Sequence, residues 1–303
     1  MLGAAGREEY VEAPAALRDQ RLYKAWRAFS SNKLAVVGLA FVVLTVLLAI
    51  FAPWLEPHNP TTPYPSGLSA IGGPLPTTWH MPFPLGTDNV GRDELSQLVA
   101  GARVSMEVGV FATLISMVIG TVFGAVSGYF GGWADNLLMR FTDIMLAFPF
   151  LLLVILLQSV IAHPSVVTVY EVIGGLGWAG VARIARGQAL SVARNEFVEA
   201  AHATGASHWR IISRHIIPNI LGPVLVISTL NVSGNIILES SLSFLGIGVP
   251  DPTPSWGKMI SAGLQYYQVM PTLLLYPGIM LAIASLGFNL FGDGLGRVLN
   301  PRR

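Results

Sequence analysis

The stretch LAVVGLAFVVLTVLLAIFAPWL, which runs from Leu34 to Leu55, contains no charged residue. A helix needs about 20 consecutive apolar residues to cross the hydrocarbon core of a bilayer. The stretch therefore predicts a membrane-spanning helix over residues 34–55, and it decides the class of the fold. The 33 residues before it are polar and basic, which is too long a leader for a cleavable signal peptide. We expect this helix to be retained as an anchor.

The composition of the whole chain agrees with a lipid environment. Of the 303 residues, 52% are hydrophobic and only 12% are charged, with a mean hydropathy of +0.59. Soluble domains carry a charged fraction of about 25%. The net charge of +1 gives no argument for binding nucleic acid, and the absence of cysteine excludes disulfides, thiolate metal sites and a thiol nucleophile.

Charge-free runs recur along the chain at residues 108–134, 144–170, 215–238 and 259–292. Pro218 and Pro271 are expected near the starts of the last two helices, since proline is tolerated in a first turn. The segment 164–182 is interrupted by Glu171. We nevertheless count it as a span, because the arginines that follow it then lie on the same side of the membrane as the basic N-terminus. Basic loops stay cytoplasmic, so this arrangement is the consistent one. We predict an all-α polytopic membrane protein with six transmembrane helices and both termini in the cytoplasm.

The spans divide the chain into five parts. Leu22, Trp26 and Phe29 share one helical face before the first span, which predicts an interfacial helix on the cytoplasmic leaflet; packing of this helix on a partner is the alternative. The predicted parts are a cytoplasmic segment (1–33), the first span (34–55), a proline-rich and irregular periplasmic loop (56–102), a core with five spans and a cytoplasmic loop at 183–217 (103–294), and a cytoplasmic tail (295–303).

No enzyme motif is found in the sequence. There is no G-x-x-x-x-G-K-[ST] loop, no H-E-x-x-H pair and no G-x-S-x-G elbow, and the six histidines lack ligand spacing. We therefore expect no catalytic residue, metal or cofactor in this chain, and no nucleotide hydrolysis by the chain alone.

The most informative polar stretch is Glu199-Ala200-Ala201-His202-Ala203-Thr204-Gly205-Ala206, followed by Trp209. It predicts a short helix with a small alanine surface that another protein can approach closely, broken by a turn at Gly205. A generic alanine-rich connecting helix is the alternative for Glu-Ala-Ala alone.

The wider pattern resembles the binding-protein-dependent ABC permeases: Glu-Ala-Ala, three residues, Gly, nine residues, then an apolar patch ending at Pro218. The flanks resemble the dipeptide/oligopeptide (nickel) branch and its C-type membrane subunit, with PLGTDNVGRD from Pro84, LSFLGIG from Leu242, PTPSWG from Pro252 and FNLFGDGL from Phe288. His215 departs from the general signature, which has an apolar residue there.

The resemblance implies a type I ABC importer permease in a bacterial or archaeal plasma membrane. The segment from Glu199 to Trp209 would be a coupling helix seated on an ATPase subunit, with Glu199 orienting it, Ala200 and Ala201 as its contact face, and Gly205 as the turn; Thr204 and Ala206 belong to the same surface. Two cytoplasmic ATPase subunits would bind ATP and Mg²⁺. A second related permease subunit, a periplasmic or lipid-anchored solute-binding protein and membrane lipid would be the other partners. The solute would be a di- or oligopeptide, with nickel, glutathione or an oligosaccharide as alternatives.

Polar residues inside the spans supply further hypotheses. Asn231, Asn235 and Glu239 follow i, i+4, i+8 spacing and are predicted to line the translocation pathway. Arg140 and Asp143 are predicted to pair at i, i+3 spacing. Gly120, Gly124 and Gly128 repeat every fourth residue, which predicts close approach of a neighbouring helix. The remaining polar residues are predicted to have structural roles: Glu107, Glu171, Asn289 and Asp293.

Two other functions remain open at this stage. A proton-coupled secondary transporter would use Glu107, Glu171 or Glu239 as proton sites, but such folds show repeated halves, which are absent here. A non-transporting scaffold would not need the coupling-type loop. Dependence of uptake on ATP or on a proton gradient would separate the first two functions.

Overall fold

A computed structural model describes residues 15–299 of the chain, with side chains from residue 23 onward. Our predictions for residues 1–14 and 300–303, and for the side chain of Leu22, lie outside this described part. Eleven α-helices follow one another: α1 (Ala15–Ser30), α2 (Lys33–Leu55), α3 (Glu94–Phe130), α4 (Gly132–Ala147), α5 (Phe150–Val160), α6 (Val166–Val192), α7 (Glu196–Ala203), α8 (His208–Ile211), α9 (Ile217–Phe244), α10 (Trp256–Gly263) and α11 (Thr272–Leu299).

The fold is all-α, as predicted. A π-helical turn at Ile212–Ile216 joins α8 to α9, so that one continuous helix runs from His208 to Phe244. The described residues form no extended strand, and only two isolated bridges occur, Leu68 with Pro74 and Thr87 with Asp93. Four helices are long and apolar enough to cross a membrane: α2, α3, the continuous helix α8–α9, and α11.

The first span begins where the sequence predicts it. The Asn32 side chain caps α2 by accepting hydrogen bonds from the backbone N–H groups of Leu34 and Ala35, at 3.1 and 3.4 Å. Helix α2 packs antiparallel to α11, since a methyl group on Gly38 would lie 2.6 Å from Cβ of Leu290, and one on Gly287 would lie 2.8 Å from Cβ of Phe41. Small residues thus bring these two helices into close contact.

The helix predicted before the first span is present as α1, and its interfacial position stays a prediction. The Phe29 ring is only 6% exposed and packs edge-on against Phe291, with ring centroids 5.9 Å apart, whereas Trp26 is 58% exposed. Trp26 and Phe29 do share a face, as predicted, since their rings stack with centroids 6.1 Å apart, but Phe29 is covered by the bundle. Helix α1 is tied to α11 of the same chain because the aromatic side chain reaches the small residue Gly294 there.

The predicted third span, at residues 144–170, is not one straight helix. Helices α4 and α5 are bent by 83° at Phe148 and Pro149, and Phe148 has extended backbone. Proline disfavours helical conformation in the residue before it and lacks an N–H group for the helix ladder, which accounts for the break. The chain then turns, and α6 begins at Val166 behind a capping box of Ser165 and Thr168.

Helix α3 is longer than its charge-free core. It starts at Glu94, well before the loop boundary predicted at residue 102, because the Asp93 side chain caps it by accepting from the backbone N–H of Ser96 at 3.1 Å. At 37 residues it is about 55 Å long, so it exceeds the roughly 30 Å hydrocarbon core. It ends at Phe130, not at residue 134, because Gly131 adopts a φ of 61°.

The glycine stripe of α3 makes the contact that the sequence predicts. Methyl groups on Gly120, Gly124 and Gly128 would lie 2.6–2.7 Å from the Cβ atoms of Val181, Ala185 and Ala189, respectively. The residue numbers of the contacting pairs increase in the same direction along both helices, so α3 and α6 run parallel. The intervening α4–α5 segment must therefore return the chain to the end where α3 began.

This packing fits the prediction of six crossings. The bent pair α4–α5 is apolar enough for a fifth span if its two helices are counted as one, whereas α6, which contains Glu171 and Arg183, is not apolar enough to be counted on composition. The start predicted for the last span is confirmed, because α11 begins at Thr272, directly after Pro271.

The two long connections lie at one end of the bundle. The first is irregular, as predicted, with a single 3₁₀ turn at Pro65–Gly67. Its buried Thr87 hydroxyl donates to the carbonyl of Gly67 at 2.5 Å and accepts from the backbone N–H of Leu75 at 2.8 Å. The second connection contains α10, where the fully buried Trp256 indole donates to the carbonyl of Leu98 at 3.1 Å.

Candidate functional site

The predicted coupling segment forms its own short helix at the other end of the bundle. Helix α7 begins at Glu196, three residues before the Glu199 start of the prediction, and both glutamates lie in its first turn. Carboxylates are favoured there by the helix dipole. The charged loop predicted at 183–217 is accordingly mostly helical, with α6 continuing through Val192 before α7 starts.

A glycine turn ends α7, in agreement with the prediction for Gly205. Gly205 has a φ of 79°, its N–H donates to the carbonyl of His202 at 2.9 Å, and the N–H of Ala206 donates to the carbonyl of Ala201 at 3.1 Å. These two bonds form a Schellman motif, in which a left-handed residue ends the helix. The predicted helix from Glu199 to Trp209 is thus two helices, since α8 starts after this turn.

One face of α7 is anchored in the protein's own core. Val198 is fully buried against Ile211 and Ile216 of the next helical segment, and Ala185 and Ala189 of α6 join the same cluster. Ala201 and Ala206 are half-buried against this cluster. Of the two alanines predicted as the contact face, Ala201 therefore faces inward and only Ala200 is exposed.

The opposite face of α7 is exposed, and together with Trp209 of α8 it combines small residues with two aromatic side chains. Glu199, Ala200 and Thr204 are exposed. Trp209 is 66% exposed and Phe197 is 41% exposed. Exposed aromatic residues beside a small, smooth surface are typical of a protein-binding site. Sequence reasoning missed Phe197, although an apolar residue between two glutamates was a usable signal.

A histidine pair that the sequence did not single out fastens α7 to α3. The Tyr129 hydroxyl lies 2.9 Å from Nε2 of His202 and 2.8 Å from Nδ1 of His208. The Tyr129 and His202 rings are nearly parallel, with centroids 5.9 Å apart. These contacts connect the end of α3 to both sides of the Gly205 turn, so α7 and the spans are positioned together.

Ion pairs hold α6 against α4 near the same end of the bundle. Arg183 donates to Asp143 at 2.8 Å, and Arg186 donates twice to Asp135, at 2.5 and 2.7 Å. The predicted Arg140–Asp143 pair is therefore wrong. Within one helix, a base that precedes its acid is the less favourable order, and Arg183 of the facing helix takes the acid instead.

Two of the three predicted pathway residues lie together in a cavity. Asn231 and Asn235 line a space of about 330 Å³ bordered by Ser116, Phe148 and Gly180. The Asn235 amide also donates to the Thr113 hydroxyl at 2.9 Å. Whether this cavity belongs to the translocation pathway stays a prediction.

Glu239 does not line this cavity, and its predicted pathway role stays a prediction. It is fully buried and accepts hydrogen bonds from the hydroxyls of Ser105 at 2.9 Å and Ser243 at 2.7 Å. Eight residues of α-helix rotate a side chain by about 80°, enough to turn Glu239 away from Asn231 and toward α3. Its role in this structure is to join α3 to the end of α9.

No group of three or more His, Asp or Glu side chains in residues 15–299 is placed to hold a metal ion.

Comparison with known proteins places this architecture in a family. Residues 120–303 match the family described as "Binding-protein-dependent transport system inner membrane component", which is more than half of the chain. The chain belongs to this family of membrane permeases. Residues 21–74 of the permease match the "N-terminal TM domain of oligopeptide transport permease C". The permease is thus a multi-pass component of a transport system and is not itself an enzyme.

Curated relatives cover nearly the whole permease. It is 41% identical to the oligopeptide transport system permease protein OppC of Haemophilus influenzae, over 92% of this chain and 88% of the relative. It is 37% identical to the dipeptide transport system permease protein DppC of Bacillus subtilis, over 97% of this chain and 91% of the relative. It is also 34% identical to the glutathione transport system permease protein GsiD of Escherichia coli, over 92% and 90%. These matches agree with the C-type subunit of the dipeptide/oligopeptide branch.

Proposed function

We propose that this permease forms half of the translocation pathway of an ATP-driven importer of di- and oligopeptides. The exposed face of α7 carries the proposal. It is a small surface with two aromatic side chains at its edges, and the opposite face of the helix is fixed in the bundle core. We assign this face to contact with a cytoplasmic ATPase subunit that binds ATP and Mg²⁺.

The anchoring of α7 supports a mechanical role. Val198 lies in one buried cluster with residues of α3, α6 and α9, and Tyr129 connects α3 to both histidines around the Gly205 turn. Protein interiors are close-packed and transmit displacement with little compression. A movement of α7 by the ATPase would therefore shift three spanning helices together, and Asn231 and Asn235 would lie on the moving side of the pathway.

The remaining partners follow from this assignment. A second, related permease subunit would complete the pathway, and a solute-binding protein would dock at the end of the bundle opposite α7. The basic segment before α2 and the arginines that follow α6 favour placing α7 and both termini in the cytoplasm.

The coupling surface is tested by a charge placed on it. Ala200→Arg puts a long cation on the exposed face without touching the core, and Ala200→Ser is the matched control. We expect Ala200→Arg to lower the amount of ATPase subunit co-purified in mild detergent by about tenfold or more, because a desolvated unpaired charge is costly at an interface. Recovery equal to that of the serine variant would contradict the assignment of this face, and absence of any ATPase from the wild-type preparation would contradict the function.

The solute class is tested by uptake. The named relatives transport oligopeptides, dipeptides and glutathione, and the last is itself a tripeptide. Proteoliposomes that contain the whole transporter and its binding protein should take up labelled dipeptide in an ATP-dependent manner. Excess oligopeptide should compete, whereas nickel ions and an oligosaccharide should not. Competition by nickel alone would contradict a peptide solute.

A further inference from the structure

A second pocket lies at the end of the bundle opposite α7. Its volume is about 360 Å³, and its walls come from two segments. One wall is the loop that leads into α3, with Asp88 and Arg92, and the other is the turn before α10 together with the 3₁₀ turn at Leu264–Tyr266. None of the residues of the α7 surface or of the Asn231 cavity contributes to this pocket.

The two basic residues of the pocket already have acidic partners. Arg92 donates from Nε to Asp88 at 2.6 Å, and Asp88 also accepts from Gln97 at 3.0 Å. Lys258 pairs with Asp251 and donates to the carbonyl of Thr253 at 3.1 Å. The hydrogen bond from Lys258 lowers the pKa of the Asp251 carboxyl below its ordinary value. Both basic side chains of the pocket are thus already paired with a carboxylate.

A third acidic side chain at the pocket, Glu94, has no hydrogen-bond or ion-pair partner among the described residues. It borders the pocket, is only 2% exposed, and its buried Oε1 meets no hydrogen-bond donor among the described residues. Its neighbours Asp88 and Asp93 are also acids, and Asp93 already supplies the cap of α3. Burying a carboxylate without a partner is unfavourable, so a cation placed against Glu94 would stabilise the ionised form of this side chain.

We propose that this pocket binds one organic cation, a primary ammonium or guanidinium group that lies against the Glu94 carboxylate. The volume is at the small end of the range for ligand pockets. The buried side chains of Pro254, Met259 and Leu273 offer apolar surface for a methylene stem. An organic cation fits better than a metal ion, since no group of three metal ligands is found in residues 15–299.

The cation can come from two sources with the same chemistry. One is a lysine or arginine side chain of the protein that docks at this end, and the other is the amino terminus or a basic side chain of the solute. The site itself does not depend on the function proposed above, but the assignment of its source does.

The site is tested first with the full-length chain, purified in mild detergent with whichever subunits accompany it. n-Butylguanidinium is the probe and neutral n-butylurea is its matched control, with binding followed by saturation-transfer NMR and calorimetry. We expect only the guanidinium to bind, and Glu94→Gln to weaken it by about tenfold or more, as for loss of a hydrogen bond to a charged group. Glu56→Gln, which neutralises an acid outside the pocket, should leave binding unchanged.

A second variant protects the test against a folding defect. Gln265→Trp adds bulk at the exposed rim and keeps every carboxylate, so it should also abolish probe binding. Thermal unfolding without probe shows that each variant is folded. Equal affinity of folded Glu94→Gln and wild type, or equal binding of butylurea, would overturn the proposal.

The source is then identified in the complete transporter. A lower affinity of Glu94→Gln for the solute-free binding protein assigns the cation to that protein. Unchanged docking, with a raised KM for a peptide with a free amino terminus but not for its N-acetylated form, assigns it to the solute. If neither measurement changes, a role of this site in transport is overturned. The probe experiment needs no ATPase, so its result is independent of the proposed coupling function.

Discussion

At the scale of single residues, Gly205 shows how one backbone angle shapes the coupling surface. Its φ of 79° is a left-handed conformation that other residues adopt at a cost of about 1–2 kcal/mol, and no atom lies within 4 Å of an added methyl group. Gly205→Ala should therefore lower thermal stability through the backbone alone. It should also loosen the position of Trp209 relative to α7, which reduces coupled ATP hydrolysis.

The control for Gly205→Ala is a glycine with equal space but helical backbone. Gly187 in α6 has nothing within 4 Å of an added methyl group and no positive φ. Gly187→Ala should leave coupled hydrolysis unchanged and raise stability by about 0.5–1 kcal/mol, since alanine is the better helix former. Equal melting temperatures for the two variants would contradict the assigned role of the turn.

Glu239 gives a second prediction at this scale. Glu239→Leu removes the acceptor for Ser105 and Ser243, so two buried hydroxyls lose partners, and we expect a loss of about 1–3 kcal/mol in stability. Asn231→Ala borders the cavity and should instead raise the KM for uptake with little change in melting temperature. Transport kinetics altered by Glu239→Leu without any change in stability would support the predicted pathway role of this residue.

Only some of these residue roles were predictable. Gly205 was recognised because a glycine after an alanine-rich helix carries local information about a turn. The partner of Glu239, by contrast, is Ser105, which is 134 positions away in the sequence. No local pattern encodes that contact, and the same is true of Tyr129 with His202 and His208. Spacing along one helix therefore placed Asn231 and Asn235 together but could not show which way Glu239 faces.

At the scale of helices, the contact of α3 with α6 depends on small residues. Gly124→Ala would place a methyl group 2.6 Å from Cβ of Ala185, so the two helices must separate or shift. Overpacking of this kind costs about 1–3 kcal/mol. Gly175→Ala, on α6 with nothing within 4 Å, is the control and should be neutral or stabilising. Thermal unfolding of both purified variants checks the prediction, and equal stability would contradict close packing along this stripe.

Helix boundaries were less predictable than helix existence. Charge-free runs in the sequence correctly located the apolar segments. They do not reveal a break such as the one at Pro149, because this residue is as apolar as its neighbours. Polar caps also extend helices beyond apolar runs, as Asp93 does for α3. The ion pair between Arg183 and Asp143 depends on how α6 packs against α4, so it was accessible only once both helices were placed.

At the scale of the whole molecule, helix directions constrain the topology more strongly than hydropathy does. Helices α3 and α6 run parallel in contact, and α3 runs antiparallel to α9, since Gly109 approaches Ile236 and Thr113 meets Asn235. If α3 crosses the membrane, then α6 beside it crosses in the same direction. The segment between them, α4–α5, would then cross back, which agrees with the prediction of six crossings although α6 is only moderately apolar.

Cysteine labelling tests this topology, and the native chain contains no cysteine that would interfere. Single variants Ile71→Cys and His163→Cys lie in the connections before α3 and before α6, whereas Ala203→Cys lies on α7, and all three positions are exposed. Because α3 and α6 are parallel, the first two cysteines should react with a membrane-impermeant maleimide in intact spheroplasts, and Ala203→Cys only after permeabilisation. If His163→Cys, like Ala203→Cys, reacts only after permeabilisation, whereas Ile71→Cys reacts in intact spheroplasts, then α4–α5 does not cross the membrane. Helix α6 would in that case lie beside α3 without spanning the bilayer.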